Sequence, residues 1–163
     1  MPINQIRIFI HLLWTLVPPG DVPTDKYLVP LVPYLTRYAS TLGVKIAAIG
    51  GGEDDLHVLL ELPSDSTLTG LEGELRAAAK RFAADFLGSD SSAWLPEGFS
   101  ADSVSFEEFD ELRVYISDNA ARHATGSTVP RWEGPTADSV GGDEDTPQWL
   151  RDAMARATMY NEP

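Results

Sequence analysis

Asp55 and His57 stand two residues apart in DLHVLLEL, and in an extended segment that spacing turns both side chains to one face. A carboxylate oxygen and an imidazole nitrogen so placed are donors of the kind divalent cations accept. The chain has no cysteine, which excludes a thiolate site and a disulfide framework, so any metal must be held by His, Asp, Glu, Asn or Gln. Taken alone, a strand histidine such as His57 is more often satisfied by a backbone or carboxylate partner than by a metal. Tyr115 carries a phenol, a weak nucleophile with an ordinary pKa of ~10. It stands among Phe109, Leu112 and Ile116 at helical spacing, where a tyrosine by itself is more often a core or rim aromatic. Asn119, one turn further on, reads by default as a polar residue near a helix end. His11 reads as a structural histidine on a strand, and His123 as solvent-exposed near a helix end, where a cation is favourable. Glu53 and Asp54 are expected to solvate a turn.

The elements that must position these residues follow from hydrophobic periodicity. IRIFIHLLW (6–14) is rich in β-branched and aromatic residues and reads as a buried strand stopped by Pro18-Pro19-Gly20. From Thr24 or Asp25 to Leu42 the apolar residues recur every three or four positions, an amphipathic helix ended by Gly43 and disturbed early by Pro30 and Pro33. Val44–Ile49 and Leu56–Leu62 read as strands joined by a Gly-rich, acidic turn. Thr67–Leu87 is the most regular helix, a further strand is expected over Ser100–Ser105, and a third helix from about Phe106 to Ala121. The order βαββαβα predicts an α+β fold: a ferredoxin-like split βαβ arrangement, similar to RNA-recognition folds, with an antiparallel sheet, helices on one face and an added tyrosine-bearing helix.

Residues 1–123 are therefore expected to form one domain. Residues 124–146, rich in Gly, Ser, Thr, Pro and Asp, read as a flexible linker, and residues 147–163 as a C-terminal amphipathic helix and tail, capped by Thr146 with Pro147 at its first position. No segment approaches the ~18 continuous apolar residues that a membrane-spanning helix needs, and the N-terminal apolar stretch, broken by His11, does not read as a signal peptide. A soluble, cytoplasmic chain is expected.

Charge bears directly on partners. Twelve Lys and Arg against 25 Asp and Glu give a formal net charge of −13, with nine basic and 18 acidic side chains in residues 1–126 alone. Non-specific affinity for DNA comes largely from cations that displace counterions at phosphates, so an acidic body of this kind is poorly suited to a polyanion.

The stretch Ile49–Pro63, IGGGEDDLHVLLELP, resembles the strand-borne HUH motif of the insertion-sequence-200-like, REP-associated type of single-tyrosine transposases, in which a Gly-Gly turn leads into His-x-His, a hydrophobic run and Glu-Leu-Pro. The second motif histidine falls on His57 and the first on Asp55. Downstream, Trp94, Gly98-Phe99, Ser103-Val104-Ser105 and Val114-Tyr115-Ile116 resemble the family's Trp, Gly-Tyr, Ser-Val and Arg-Tyr-Ile series, which ends in the helix bearing the nucleophilic tyrosine. FIHLLWT resembles the family's first strand, but Leu16-Val17-Pro18-Pro19 stands where a basic stretch is usual. The resemblance runs from about Gln5 to about His123.

It implies that Tyr115 is the nucleophile and that Asp55, His57 and Asn119 hold a divalent metal, Mg²⁺ or Mn²⁺, with Asn119 at the position of the family's glutamine ligand. The implied activity is metal-dependent cleavage and rejoining of single-stranded or hairpin DNA through a phosphotyrosine link, by a homodimer. The departures at Asp55 and after the first strand, together with the acidity, define an alternative: a catalytically inactive protein-interaction module on the same fold, using its C-terminal helix to bind a protein partner.

Overall fold

The computed structural model describes residues 6–17, 24–87 and 94–134. The chain divides into two compact units, Met1–Pro130 and Arg131–Pro163. In the first, β1 (Ile8–Thr15), α1 (Thr24–Thr41), β2 (Lys45–Gly50), β3 (Asp55–Leu62), α2 (Leu68–Leu87), β4 (Ser100–Val104), α3 (Phe106–Ser117) and α4 (Asn119–Thr125) follow in that order. The sheet order is β2-β3-β1-β4 with every neighbour antiparallel, as the ferredoxin-like expectation requires. Of the second unit the described residues are Arg131 to Gly134; Arg131 and Trp132 end a short 3₁₀ turn begun at Pro130, with the Arg131 guanidinium 4.6 Å from the centre of the Trp132 ring.

The two faces of the sheet differ because side chains alternate along each strand. Ile10, Leu12 and Trp14 of β1 stand opposite Leu60, Val58 and Leu56 of β3, and all six are buried in the core that α1 and α2 cover with Leu31, Leu35, Leu75 and Ala79. The other set, Phe9, His11 and Leu13 opposite Glu61, Leu59 and His57, points to the reverse face. That face receives α3, whose inner residues Leu112, Tyr115 and Ile116 are buried and whose N-terminal Phe106 and Phe109 meet Phe9 at ring separations of 5.3 and 4.5 Å. Pro30 and Pro33 lie inside α1 without interrupting it.

A buried polar network fixes β1, α2 and the approach to β4 together. Trp14 Nε1 donates to Glu72 Oε1 at 2.9 Å, Arg76 Nε donates to the same oxygen at 2.7 Å, and the two terminal nitrogens of Arg76 reach the carbonyls of Pro96 and Gly98. Both charged groups are buried, a placement that is tolerable only when each finds its partners.

Two boundaries differ from the sequence reading. The helix expected over 106–121 breaks at Asp118 (φ −99°, ψ 6°), where the Ser117 hydroxyl donates back to the Arg113 carbonyl and loosens the turn; a new helix, α4, then starts at Asn119 and runs to Thr125. Residues 124 and 125, assigned to the linker, are accordingly helical, and Gly126 closes α4 in the left-handed region (φ 67°). The terminal helix expected over 147–163 and the rest of the linker lie outside the described residues. Among the described residues no helix is long and apolar enough to cross a membrane.

Candidate metal centre and tyrosine

Strand β3 brings Asp55 and His57 to the face opposite the core, in register with Thr15 and Leu13. His57 is fully buried, and Asp55 sits at the rim. The glycine turn before β3 is built for this. Gly52 N–H donates to Asp55 Oδ1 at 2.7 Å, which orients the carboxylate and leaves Oδ2 facing His57 Nε2 at 3.4 Å. A Cβ on Gly50 would stand 2.0 Å from the Ile116 carbonyl oxygen, so only glycine lets α3 approach β2 this closely. Glu53 and Asp54 are exposed at the turn, as expected.

Helix α3 positions Tyr115. Ser105 caps it by accepting from Glu108 N–H, and Glu107 and Glu108 complement the positive end of the helix dipole. From there the apolar stripe carries Tyr115 inward to 1% exposure. Its ring meets that of His57 edge to face, centroids 6.3 Å apart and planes at 78°. The Arg122 guanidinium lies over the Tyr115 ring at 4.9 Å, and the Tyr115 hydroxyl accepts a hydrogen bond from Val129 N–H at 2.9 Å. The phenol thus stands beside the strand pair, with its oxygen engaged by the chain that follows α4.

The restart at Asn119 determines the third contributor. Asn119 is buried at the first position of α4, and His123, four residues on, shares its face of the helix. His123 is solvent-exposed, as the sequence suggests, but its ring is engaged on its inner side. Its ring rests on Gly52, where a side chain would come within 3.1 Å of it, and its Nε2 lies 3.2 Å from Asp55 Oδ2. Ligand atoms of Asp55, His57 and His123 all lie within 4.8 Å of one another, a group able to hold a metal ion. The donor set, two imidazole nitrogens and a carboxylate oxygen, suits Mn²⁺ or a later divalent metal at least as well as Mg²⁺. Sequence reasoning passed over His123. The signal it carried was its spacing, one helical turn beyond Asn119 and two beyond Tyr115.

Behind His57 stands His11. Its Nε2 is 2.9 Å from His57 Nδ1 and it is 5% exposed. Burial, and secondarily the proximity of His57, lower its pKa to about 4, so it is neutral at physiological pH.

Solved structures similar to this chain share its fold. One is a candidate transposase from Deinococcus radiodurans, 19% identical, covering 74% of this chain and 98% of its own, with a TM-score of 0.53. Another is a REP-associated tyrosine transposase bound to a REP hairpin, 11% identical, covering 78% of this chain and 74% of its own, with a TM-score of 0.54. No family model and no curated protein sequence matches the chain.

Proposed function

We propose that this protein is a divergent, transposase-like, REP-associated type of single-tyrosine protein that binds a divalent metal and acts on single-stranded or hairpin DNA. The observation that carries the reading is the meeting of Tyr115 with the metal-binding group: the phenol ring packs against His57, whose Nε2 faces Asp55, which in turn faces His123. The hairpin bound to the similar REP-associated transposase supports the choice of DNA.

In this reading Asp55, His57 and His123, with Asn119 on the same face of α4 as His123, hold the metal. When bound, it supplies positive charge at the scissile phosphate. Tyr115 Oη bonds to phosphorus and displaces the 3′-oxygen, which leaves as a hydroxyl with the phenol's proton, while the 5′ side remains as a phosphotyrosine. The phenol is a weak nucleophile, so most of the acceleration must come from its alignment. The Val129 N–H has to leave the Tyr115 hydroxyl before that oxygen can reach a phosphate. The homodimer implied by the resemblance belongs to the same proposal.

A second reading, an inactive interaction module with a protein partner, is favoured by one pair of facts: Tyr115 is 1% exposed and the chain carries a net charge of −13. The two readings separate in one experiment. Incubation of the protein with hairpin-bearing single-stranded DNA and Mn²⁺, read on a denaturing gel, yields a covalent adduct under the first reading and none with Tyr115→Phe. Absence of any adduct, with no DNA retention at moderate salt, leaves the interaction module.

A further inference from the structure

His57 presents two nitrogens to two different neighbours. Nδ1 is 2.9 Å from His11 Nε2, and Nε2 is 3.4 Å from Asp55 Oδ2. The two imidazole planes are tilted by only 12° with centroids 5.1 Å apart, so the short nitrogen-to-nitrogen contact joins the rings edge to edge, in the direction of an N–H···N bond. The contact is a product of strand register. His11 opposes Leu59 and Leu13 opposes His57 in the β1–β3 ladder, which makes the two histidines diagonal neighbours on one face.

A neutral imidazole carries one proton, and which nitrogen holds it is set by the bond the other nitrogen makes. For His57 to offer Nε2 as a ligand, its proton must reside on Nδ1, and at a site with no solvent exposure that proton needs an acceptor inside the protein. His11 Nε2, 2.9 Å away, is placed to accept it.

We infer that His11 is a positioning residue of the metal centre: its Nε2 accepts the His57 Nδ1–H and so holds the Nε2 lone pair of His57 toward Asp55 and His123. The inference rests on the metal reading proposed above. Unlike the carboxylate more usual behind a ligand histidine, a second imidazole adds no negative charge there and can exchange donor for acceptor. Without metal, His57 Nε2–H can face Asp55 while His11 donates to Nδ1; with metal, both rings change tautomer together.

The test uses the full chain, Zn²⁺ as a diamagnetic probe, and two variants. His11→Phe fills the space without an acceptor, and His11→Gln restores one through its amide oxygen. Calorimetric titration is expected to give a Zn²⁺ Kd raised about 10- to 100-fold in His11→Phe, the usual effect of losing such a partner, and recovered to within a few-fold in His11→Gln. In ¹⁵N-labelled, Zn²⁺-loaded wild-type protein, His57 is expected to carry its proton on Nδ1, with a coupling across the hydrogen bond to His11 Nε2. Wild-type affinity in His11→Phe, or a His57 proton on Nε2 in the loaded protein, overturns the role of His11 and leaves the metal centre standing. Failure of the wild type to take up Zn²⁺ removes the metal reading and the inference with it. Should His11→Phe not fold, the wild-type tautomer decides the question alone.

Discussion

His123 Nε2 lies 3.2 Å from Asp55 Oδ2, so α4, an element that exists only because the preceding helix breaks at Asp118, supplies a donor to the strand pair on β3. The proposed metal-binding group is thus a strand-and-helix construction, and its parts can be removed separately. His57→Ala is expected to abolish Mn²⁺ binding, and His123→Ala and Asp55→Ala to weaken it by at least about tenfold each, since each removes one donor of a small set. Titration followed by electron paramagnetic resonance checks this; unchanged affinity in both His123→Ala and Asp55→Ala would show that the cluster is an ordinary ion-pair group.

Gly50 and Gly52 are predicted to separate stability from binding. The Cβ of Gly50→Ala would meet the Ile116 carbonyl at 2.0 Å, and because that neighbour is backbone, α3 must move, at a cost of about 1–3 kcal/mol or more. Gly52→Ala meets side-chain atoms instead, the His123 ring at 3.1 Å and Asp55 Oδ1 at 3.4 Å. Thermal unfolding should therefore fall by several degrees for Gly50→Ala and little for Gly52→Ala, while metal affinity falls in the latter. The reverse order would contradict the packing described.

Arg76→Leu strands the buried Glu72 carboxylate and frees the Pro96 and Gly98 carbonyls of their donor. Breaking a buried pair from one side typically costs about 3–5 kcal/mol. Urea denaturation should register that loss, and Glu72→Gln combined with Arg76→Leu should recover part of it. A single-variant loss under ~1 kcal/mol would mean that water already reaches the pair.

Acid should destabilise the metal-free protein through His11. Its folded pKa of about 4 lies below the ordinary value of 6.5, so between these values the unfolded chain binds a proton the folded one refuses. Stability from this group is complete above pH ~6.5 and declines as the pH falls toward 4, by up to about 3 kcal/mol at ~1.4 kcal/mol per pH unit. Denaturation in chelator at pH 7.5, 6 and 4.5 measures the slope, and His11→Phe should flatten it. An equal slope in the variant would assign the effect to other groups.

Tyr115→Phe tests chemistry against structure. The hydroxyl's bond from the Val129 N–H is lost, a contribution of about 1 kcal/mol. The variant should fold with nearly wild-type stability and lose all covalent capture of DNA.

Much of the fold is written locally. The apolar alternation of IFIHLLWT and DLHVLLEL, and the three-and-four spacing over 24–42 and 67–87, specify strands and helices through contacts between near neighbours, and the observed elements agree with them to within a few residues. The split βαβ order followed from that alternation, and the resemblance brought Tyr115 and His57 into one argument. The break at Asp118 was not legible, because Arg113 to Ala121 contains neither Gly nor Pro and the competing Ser117 bond leaves no period to read.

The amino-acid sequence by itself determined the strand-and-helix order, the shared face of Asp55 and His57, the inward turn of Tyr115 and the acidity any nucleic-acid partner must overcome. Tertiary structure alone decided that His11 bonds His57 and that His123 meets Asp55. Those contacts join residues far apart in the chain, and they depend on strand register, on the close approach that Gly50 allows and on the direction in which α4 leaves α3. Local periodicity carries no information about any of the three, because each is set only when the elements pack.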